Sequence, residues 1–398
     1  MKFVLFISFI FYQISQIAYA EVKIGNLLAL TGPVPITSNL MAEAIDLAVE
    51  HINDQGAFFE DNQKLVIVRE DSKCDPLEAI KAAKNLVDIE VVSAIIGPVC
   101  SIPTIAQAEE VSIPAGVLTI SMSASSQKLS SFEFYSDLVF RTISSYPYQG
   151  KMLAKVAAMK KIQNVVIYFE NEKYNEHLID NFVEKFESYG GKVLEILPFE
   201  NGEDSYFNEI IALEQKSDNL ILISNNINTT IQILEDIQIN DKIQIILGNE
   251  GILNQKILNE IESAKVKKLT IVSSAYDTTN SAFKQWEKYA NTIEIDSKGS
   301  YLPNAYDATF LLGLAIEKAG STDLEKIAMS IREVANSPGE KIYPGEWEKA
   351  KALIASGDSI DYIGASGKIE FDENGDVVGY YSINIITDNK WKSVIIEQ

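Results

Sequence analysis

Histidine and cysteine each occur only twice in the 398 residues, tryptophan three times, and Lys plus Arg number 34 against 56 Asp plus Glu. Two histidines leave little room for a His-rich metal centre or for chemistry that turns on an imidazole base. The formal net charge of −22 opposes a phosphate backbone, and no basic patch offsets it, so nucleic acid is excluded as a partner. The chain also lacks a Gly-x-Gly-x-x-Gly after a first strand, a P-loop and a Gly-x-Ser-x-Gly elbow. No catalytic residue, metal ligand or cofactor is therefore assigned, and the protein is not expected to be an enzyme. Asp372 to Asp376 fails as a calcium loop, because Gly is not at the sixth position and no Glu occupies the twelfth. Asn374-Gly375 reads instead as a hairpin turn.

Long apolar runs are missing too. The one continuous run, Phe3 to Phe11, follows Lys2 and leads to Ala18-Tyr19-Ala20, the three parts of a secretory signal peptide cut after Ala20. It is too short and interrupted for a comfortable membrane span. Residues 1–20 are thus expected to be removed on export to the periplasm.

The whole chain is 46% apolar, and what remains after residue 20 is long enough for about two to three domains. From Val22 onward, short β-type runs alternate with amphipathic helical segments: Val22 to Ala29, Leu65 to Val68, Val91 to Ile96 and Gly116 to Ile120 as strands, separated by helices. A second series starts after Arg141, with strands at Asn164 to Phe169, Lys192 to Leu197, Asn219 to Ser224 and Ile243 to Leu247. Repeated βα units imply parallel sheets covered on both faces. The fold class is α/β: two doubly wound, Rossmann-like lobes. Beyond about Ser274 come helices at Ser281 to Ala290 and Asn304 to Ala319, an acidic stretch at 331–369 and a terminal hairpin.

Cys74 and Cys100 each follow a strand-like run, and if those strands are parallel neighbours their ends meet. An even cysteine count in an exported chain favours a disulfide. Closing that loop would add about 3–4 kcal/mol in the chain-entropy account. Two free thiols are the alternative, and a metal site is weaker, since no histidine nearby completes a tetrahedral shell.

Ligands of doubly wound sheets bind at the carboxyl ends of strands, near helix N-termini. That rule selects Gly97 to Ser101, Ser121 to Ser125, Tyr168 to Tyr174, Ser224 to Asn228 and Gly248 to Gly251. These segments are rich in hydroxyls and amides and poor in Lys, Arg and His, which suits a small zwitterion.

In Thr31-Gly32-Pro33-Val34, Asp71 to Pro76, Gly97-Pro98-Val99-Cys100-Ser101, Arg141-Thr142 with Gln149-Gly150, Tyr174 and Gly248-Asn249-Glu250-Gly251, the chain resembles the type I periplasmic binding proteins. More narrowly it resembles the leucine/isoleucine/valine-binding family that serves ABC transporters. The resemblance implies a three-strand hinge between the lobes and a Cys74–Cys100 disulfide. It implies that Ser101 holds a ligand α-carboxylate and Ser123 offers a backbone carbonyl to the α-ammonium. Ser125 touches both groups, with Ala124 between them, and Glu250 pairs with the ammonium from the second lobe. Tyr174 would line the mouth and Tyr301 would face the ligand side chain. Asn226 stands where the best-known members carry a tyrosine, and Thr37 where they carry an aromatic, which implies a roomier, more polar side-chain pocket.

These expectations divide the chain into a signal peptide at 1–20, an N-terminal lobe of 21–142 plus 275–381, and a C-terminal lobe of 143–274 plus 382–398. Crossings are expected near Arg141 to Ser144, Val272 to Tyr276 and Tyr380 to Ile383. The implied function is a periplasmic substrate-binding protein, a monomer that binds an amino acid (branched-chain or another aliphatic or polar one) and delivers it to an inner-membrane ABC permease. The alternatives are a binding protein for an amide, urea or aromatic acid, and a ligand sensor for a membrane receptor.

Overall fold

The computed structural model describes residues 21–130, 137–240, 242–261 and 268–396; the side chains of 173, 174 and 238–240, and the expected signal segment 1–20, lie outside that description. The first strand, β1 (Val22–Leu28), is buried along almost its whole length, as an apolar strand covered on both faces must be. It pairs in parallel with β2 (Leu65–Asp71) on one side and β3 (Ala94–Ile96) on the other, and β4 (Thr119–Ser121) and β5 (Val139–Arg141) follow. The sheet order is β2-β1-β3-β4-β5.

That order corrects one expectation. The strands before Cys74 and Cys100 are not neighbours, because β1 lies between them. The two cysteines are nevertheless disulfide-bonded, with their Cα atoms 5.5 Å apart, so the bridge spans the end of β1. Strand β3 begins at Ala94 and not at Val91, which is exposed and has φ of 55°.

The chain leaves the first sheet at Arg141 and enters the helix Tyr146–Met159, which packs on a second sheet. That sheet takes β6 (Asn164–Glu170), β7 (Lys192–Phe199), β8 (Asn219–Ile223), β9 (Ile245–Gly248) and β10 (Leu269–Ala275). After Ala275 the chain returns to the first core, where the helix Leu302–Ala319 is buried from Leu302 through Ile316. The acidic stretch resolves into the end of the helix Leu324–Ala335, β11 (Glu340–Ile342), the helix Trp347–Ser356 and β12 (Ile360–Tyr362). Strands β11 and β12 form a small parallel pair of their own, and Trp347 anchors the stretch in the first core.

Strands β13 (Tyr380–Thr387) and β14 (Lys390–Ile396) then complete a seven-stranded sheet, β14-β13-β10-β9-β8-β6-β7. They are the expected terminal hairpin, antiparallel and turning at Asp388-Asn389, both with positive φ. Asn374-Gly375 is a tight turn, in which the Gly375 N–H donates to Asp372 O at 3.1 Å, but no named strands flank it. Both sheets carry apolar clusters on their two faces. Three segments cross between the sheets: Thr142 to Ser145, the end of β10 into Tyr276, and the start of β13. Strands β10 and β13 run side by side there, Ala275 opposite Tyr380 and Ser274 opposite Tyr381.

Candidate ligand-binding cleft

The carboxyl ends of the first sheet carry two serine-rich loops stitched to each other. Gly97 makes this possible: its φ is 104°, and a Cβ there would stand 2.3 Å from Leu27 O. Beyond it, Ser101 opens the helix Ser101–Gln107, and its Oγ accepts from the Ser126 N–H at 3.3 Å. Buried Ser123 donates from Oγ to Val99 O at 2.8 Å, and the Ala124 N–H donates to Ser121 Oγ at 3.0 Å. Ser125, next in line, reaches the space between the sheets.

On the other side, Glu250 opens a short 3-10 turn after β9, half-buried, with Oε2 accepting from the Ser274 N–H at 3.0 Å. Gly251 is required there, since a Cβ would fall 2.3 Å from Ser224 O. A buried amide network supports this turn. Asn249 Oδ1 accepts from the Ser224 N–H at 3.0 Å, while Nδ2 donates to Asn225 Oδ1 at 3.1 Å and to the Tyr146 hydroxyl at 3.2 Å. Each amide is satisfied, which rigidifies the carboxyl ends of β8 and β9.

The crossing segments are joined by side chains. Asn304 Nδ2 donates to Thr142 O at 2.6 Å, and Thr142 Oγ1 returns a bond to Asn304 O at 2.9 Å. The Tyr276 hydroxyl donates to Asn304 Oδ1 at 2.9 Å and accepts from the Tyr301 N–H at 3.1 Å. Tyr301 is held with φ of 64°, a left-handed conformation that costs a non-glycine residue on the order of 1–3 kcal/mol. Burial pushes the Tyr276 and Tyr301 phenols above their ordinary pKa, and the charge of Glu250 adds to both rises. Both rings therefore stay neutral donors across the physiological range. The third crossing is tied to the first by a 2.9 Å bond between the Ser144 and Tyr381 hydroxyls.

Between the sheets lies a cleft of about 690 Å³. Ser125 and Tyr301 line it from the first sheet's side and Glu250 from the second's. Ser101, Ser123 and Ala124 sit in the layer that braces Ser125. Asn226 is turned away: its Oδ1 accepts from the N–H groups of Asn228 and Thr229 at 3.1 and 3.2 Å, capping the helix Ile227–Asn240. Tyr174 begins the helix Lys173–Ser188, with its side chain outside the described part. Thr37 is half-buried in the first turn of the helix Pro35–Asp54.

Sequence reasoning missed Tyr146, Tyr276, Asn304, Ser366 and Lys298, which also line the cleft. Tyr276 falls within the expected crossing Val272 to Tyr276; nothing local marks the others. Among the described residues no cluster of His, Cys, Asp and Glu could hold a metal ion.

Two α/β sheets facing each other across a polar cleft, with three chain crossings at its base, define a type I periplasmic binding protein. The chain belongs to the receptor family ligand binding region family, whose pattern matches residues 40–389. It is 27% identical over 324 residues to the leucine-, isoleucine-, valine-, threonine- and alanine-binding protein of Pseudomonas aeruginosa, covering 80% of this chain and 83% of that one. It is 26% identical over 386 residues to the chemotactic signal transduction system substrate-binding protein BasB of Halobacterium salinarum, covering 92% and 87%. Solved structures share the fold. A leucine-binding protein of Thermotoga maritima aligns over 94% of this chain and 98% of its own with a TM-score of 0.67 and 24% identity. A leucine complex of an ABC transporter substrate-binding protein from Desulfitobacterium hafniense aligns over 94% and 100% with a TM-score of 0.68 and 20% identity. These relatives are named as binding proteins, and the chain is accordingly a binding protein and not an enzyme.

Proposed function

We propose that this protein is an exported receptor that captures one amino acid between its two lobes and delivers it to an ABC permease. The observation that carries the reading is the pairing, across one cleft, of hydroxyl-bearing Ser125 and Tyr301 with the Glu250 carboxylate. A zwitterion needs both kinds of partner, and a site that supplies them from opposite sides draws the lobes together. In this reading Ser101 holds the carboxylate, the Ser123 backbone carbonyl and Glu250 take the ammonium, and Ser125 touches both groups with Ala124 between the two serines. Tyr301 faces the side chain and Tyr174 borders the mouth, while Asn226 caps its own helix. The lobes divide at 142/143, 274/275 and 381/382, and closure bends the three crossings. A cleavable signal at 1–20, export to the periplasm and a monomeric state complete the proposal, and the Cys74–Cys100 disulfide suits that compartment.

Isothermal titration calorimetry with a panel of amino acids tests it. Saturable one-to-one binding of at least one of them is expected; no heat from any would end the reading. The similarity to a chemotactic substrate-binding protein favours a second use of the same occupancy, as a signal to a membrane receptor. Glu250 argues against an aromatic acid, which would bring a second anion to a carboxylate that needs a cation.

A further inference from the structure

The chemistry of the cleft wall narrows the ligand further, on the footing that an amino acid binds there. On the side of the five-stranded sheet the wall includes Ser125, Thr278, Lys298, Ser300, Tyr301 and Ser366, with Ala275, Tyr276, Asn304 and Tyr380 beside them at the crossings. None of the first six is aliphatic. The branched aliphatic residues of the lining, Ile143, Leu253 and Ile395, come from the first crossing and from the seven-stranded side. A leucine side chain laid against the first wall would gain little apolar contact and would strip water from hydroxyls without replacing their hydrogen bonds. Sites built to hydrogen-bond a ligand reject analogues that leave those groups unpaired.

The charges point the same way. Glu250 and Lys298 are the charged residues of the lining. Glu250 is matched by the α-ammonium, which leaves Lys298 facing the cleft as a cation with no counterpart in an aliphatic amino acid. Lys298 is exposed, and its backbone N–H is fixed by a 2.9 Å bond to Asp296 Oδ1 three residues before Tyr301. Its flexible stem lets the ammonium follow a ligand as the cleft closes and desolvates it. Ser366 is set in place from behind, its Oγ donating to Asp307 Oδ2 at 2.6 Å and its N–H to the same oxygen at 2.7 Å.

We propose that the cleft takes an α-amino acid whose side chain ends in a carboxylate or carboxamide, with Lys298 Nζ donating to the terminal oxygen. A basic side chain is disfavoured by the same ammonium, and an aliphatic one by the hydroxyl wall.

Calorimetry of the full mature chain with glutamate, glutamine, lysine and leucine decides it. Glutamate and glutamine are expected to bind at least about tenfold more tightly than leucine or lysine. Lys298→Met, at an exposed position where the fold does not depend on it, should weaken glutamate about tenfold while changing glutamine less than about threefold. Leucine binding as tightly as glutamate and glutamine overturns this inference and leaves the amino-acid reading standing. Glutamate binding that ignores Lys298→Met removes Lys298 from the site. No binding by any amino acid overturns both readings.

Discussion

Arg141 and Asp376, 235 positions apart in sequence, form a doubly bonded ion pair inside the protein: Nε to Oδ1 is 2.5 Å and Nη2 to Oδ2 is 2.7 Å. Arg141 is 1% exposed, and its Nη1 also donates to Ser126 O at 2.8 Å. The last residue of β5 thereby ties the turn at Asp372 to Asp376 to the loop that carries Ser125.

Removing one partner strands a charge in a dry place. Arg141→Met should lower stability by about 3–5 kcal/mol, and adding Asp376→Leu should recover part of the loss, because no uncompensated carboxylate then remains. Urea unfolding of the single and double variants measures this. A loss below about 1 kcal/mol in the single variant would show that the pair does not hold the loop.

The disulfide makes a second, separable claim. With Cys74 and Cys100 separated by 26 in sequence, Cys74→Ser with Cys100→Ser should cost about 3–4 kcal/mol in unfolding free energy. Urea unfolding of the wild type and the double variant measures this, and a loss below about 1 kcal/mol would contradict it.

His51 sets an acid limit. Its Nδ1 lies 2.7 Å from the Tyr306 hydroxyl and its ring packs edge-on against Tyr289, and burial lowers its pKa from 6.5 to about 4, with Asp54 opposing part of the fall. The folded protein therefore binds fewer protons than the unfolded chain between those values. This contribution is fully present above pH 6.5 and lost as pH falls through 4, up to about 3 kcal/mol. Buried Asp307 works in the opposite sense: burial raises its pKa from 3.8 to about 6, so acidification from pH 6 to 4 restores stability. Wild type should accordingly vary little between pH 6 and 4, whereas His51→Gln should become relatively more stable as pH drops. A wild-type-to-variant difference that is flat from pH 7 to 4 would refute the assignment.

Glu250→Gln tests the ammonium partner. The amide keeps an acceptor for the Ser274 N–H but removes the charge, so amino-acid affinity should fall about 10- to 100-fold with little change in thermal stability. Unchanged affinity, read by calorimetry, would move the ammonium elsewhere in the cleft.

Most strands of the two sheets were legible because buried parallel strands read as short apolar runs between turn residues, as in Val22 to Leu28 and Asn219 to Ile223, whereas β5 and β10 were not read as strands. Ser125 and Glu250 were legible for a related reason: loops at strand carboxyl ends are where such sheets bind ligands. Which strand lies beside which was not, since periodicity describes one strand's faces and says nothing of its neighbours. Hence β1 between the two cysteine-bearing loops came as a correction. Asn226 looked like a cleft residue by position but serves its own helix as a cap, a competition between local and distant hydrogen bonds that only geometry resolves.

Local sequence was enough for the α/β class, the two βα series and the acidic, metal-poor character of the chain, because each depends on composition or on contacts within a few residues. The wall of the cleft was decided by folding alone. Tyr276, Lys298, Asn304 and Ser366 belong to segments that return to the first sheet after more than a hundred residues spent in the second. Their proximity to Ser125 and Glu250 comes from long-range packing and from hydrogen bonds such as Asn304 to Thr142, and no local pattern encodes those contacts.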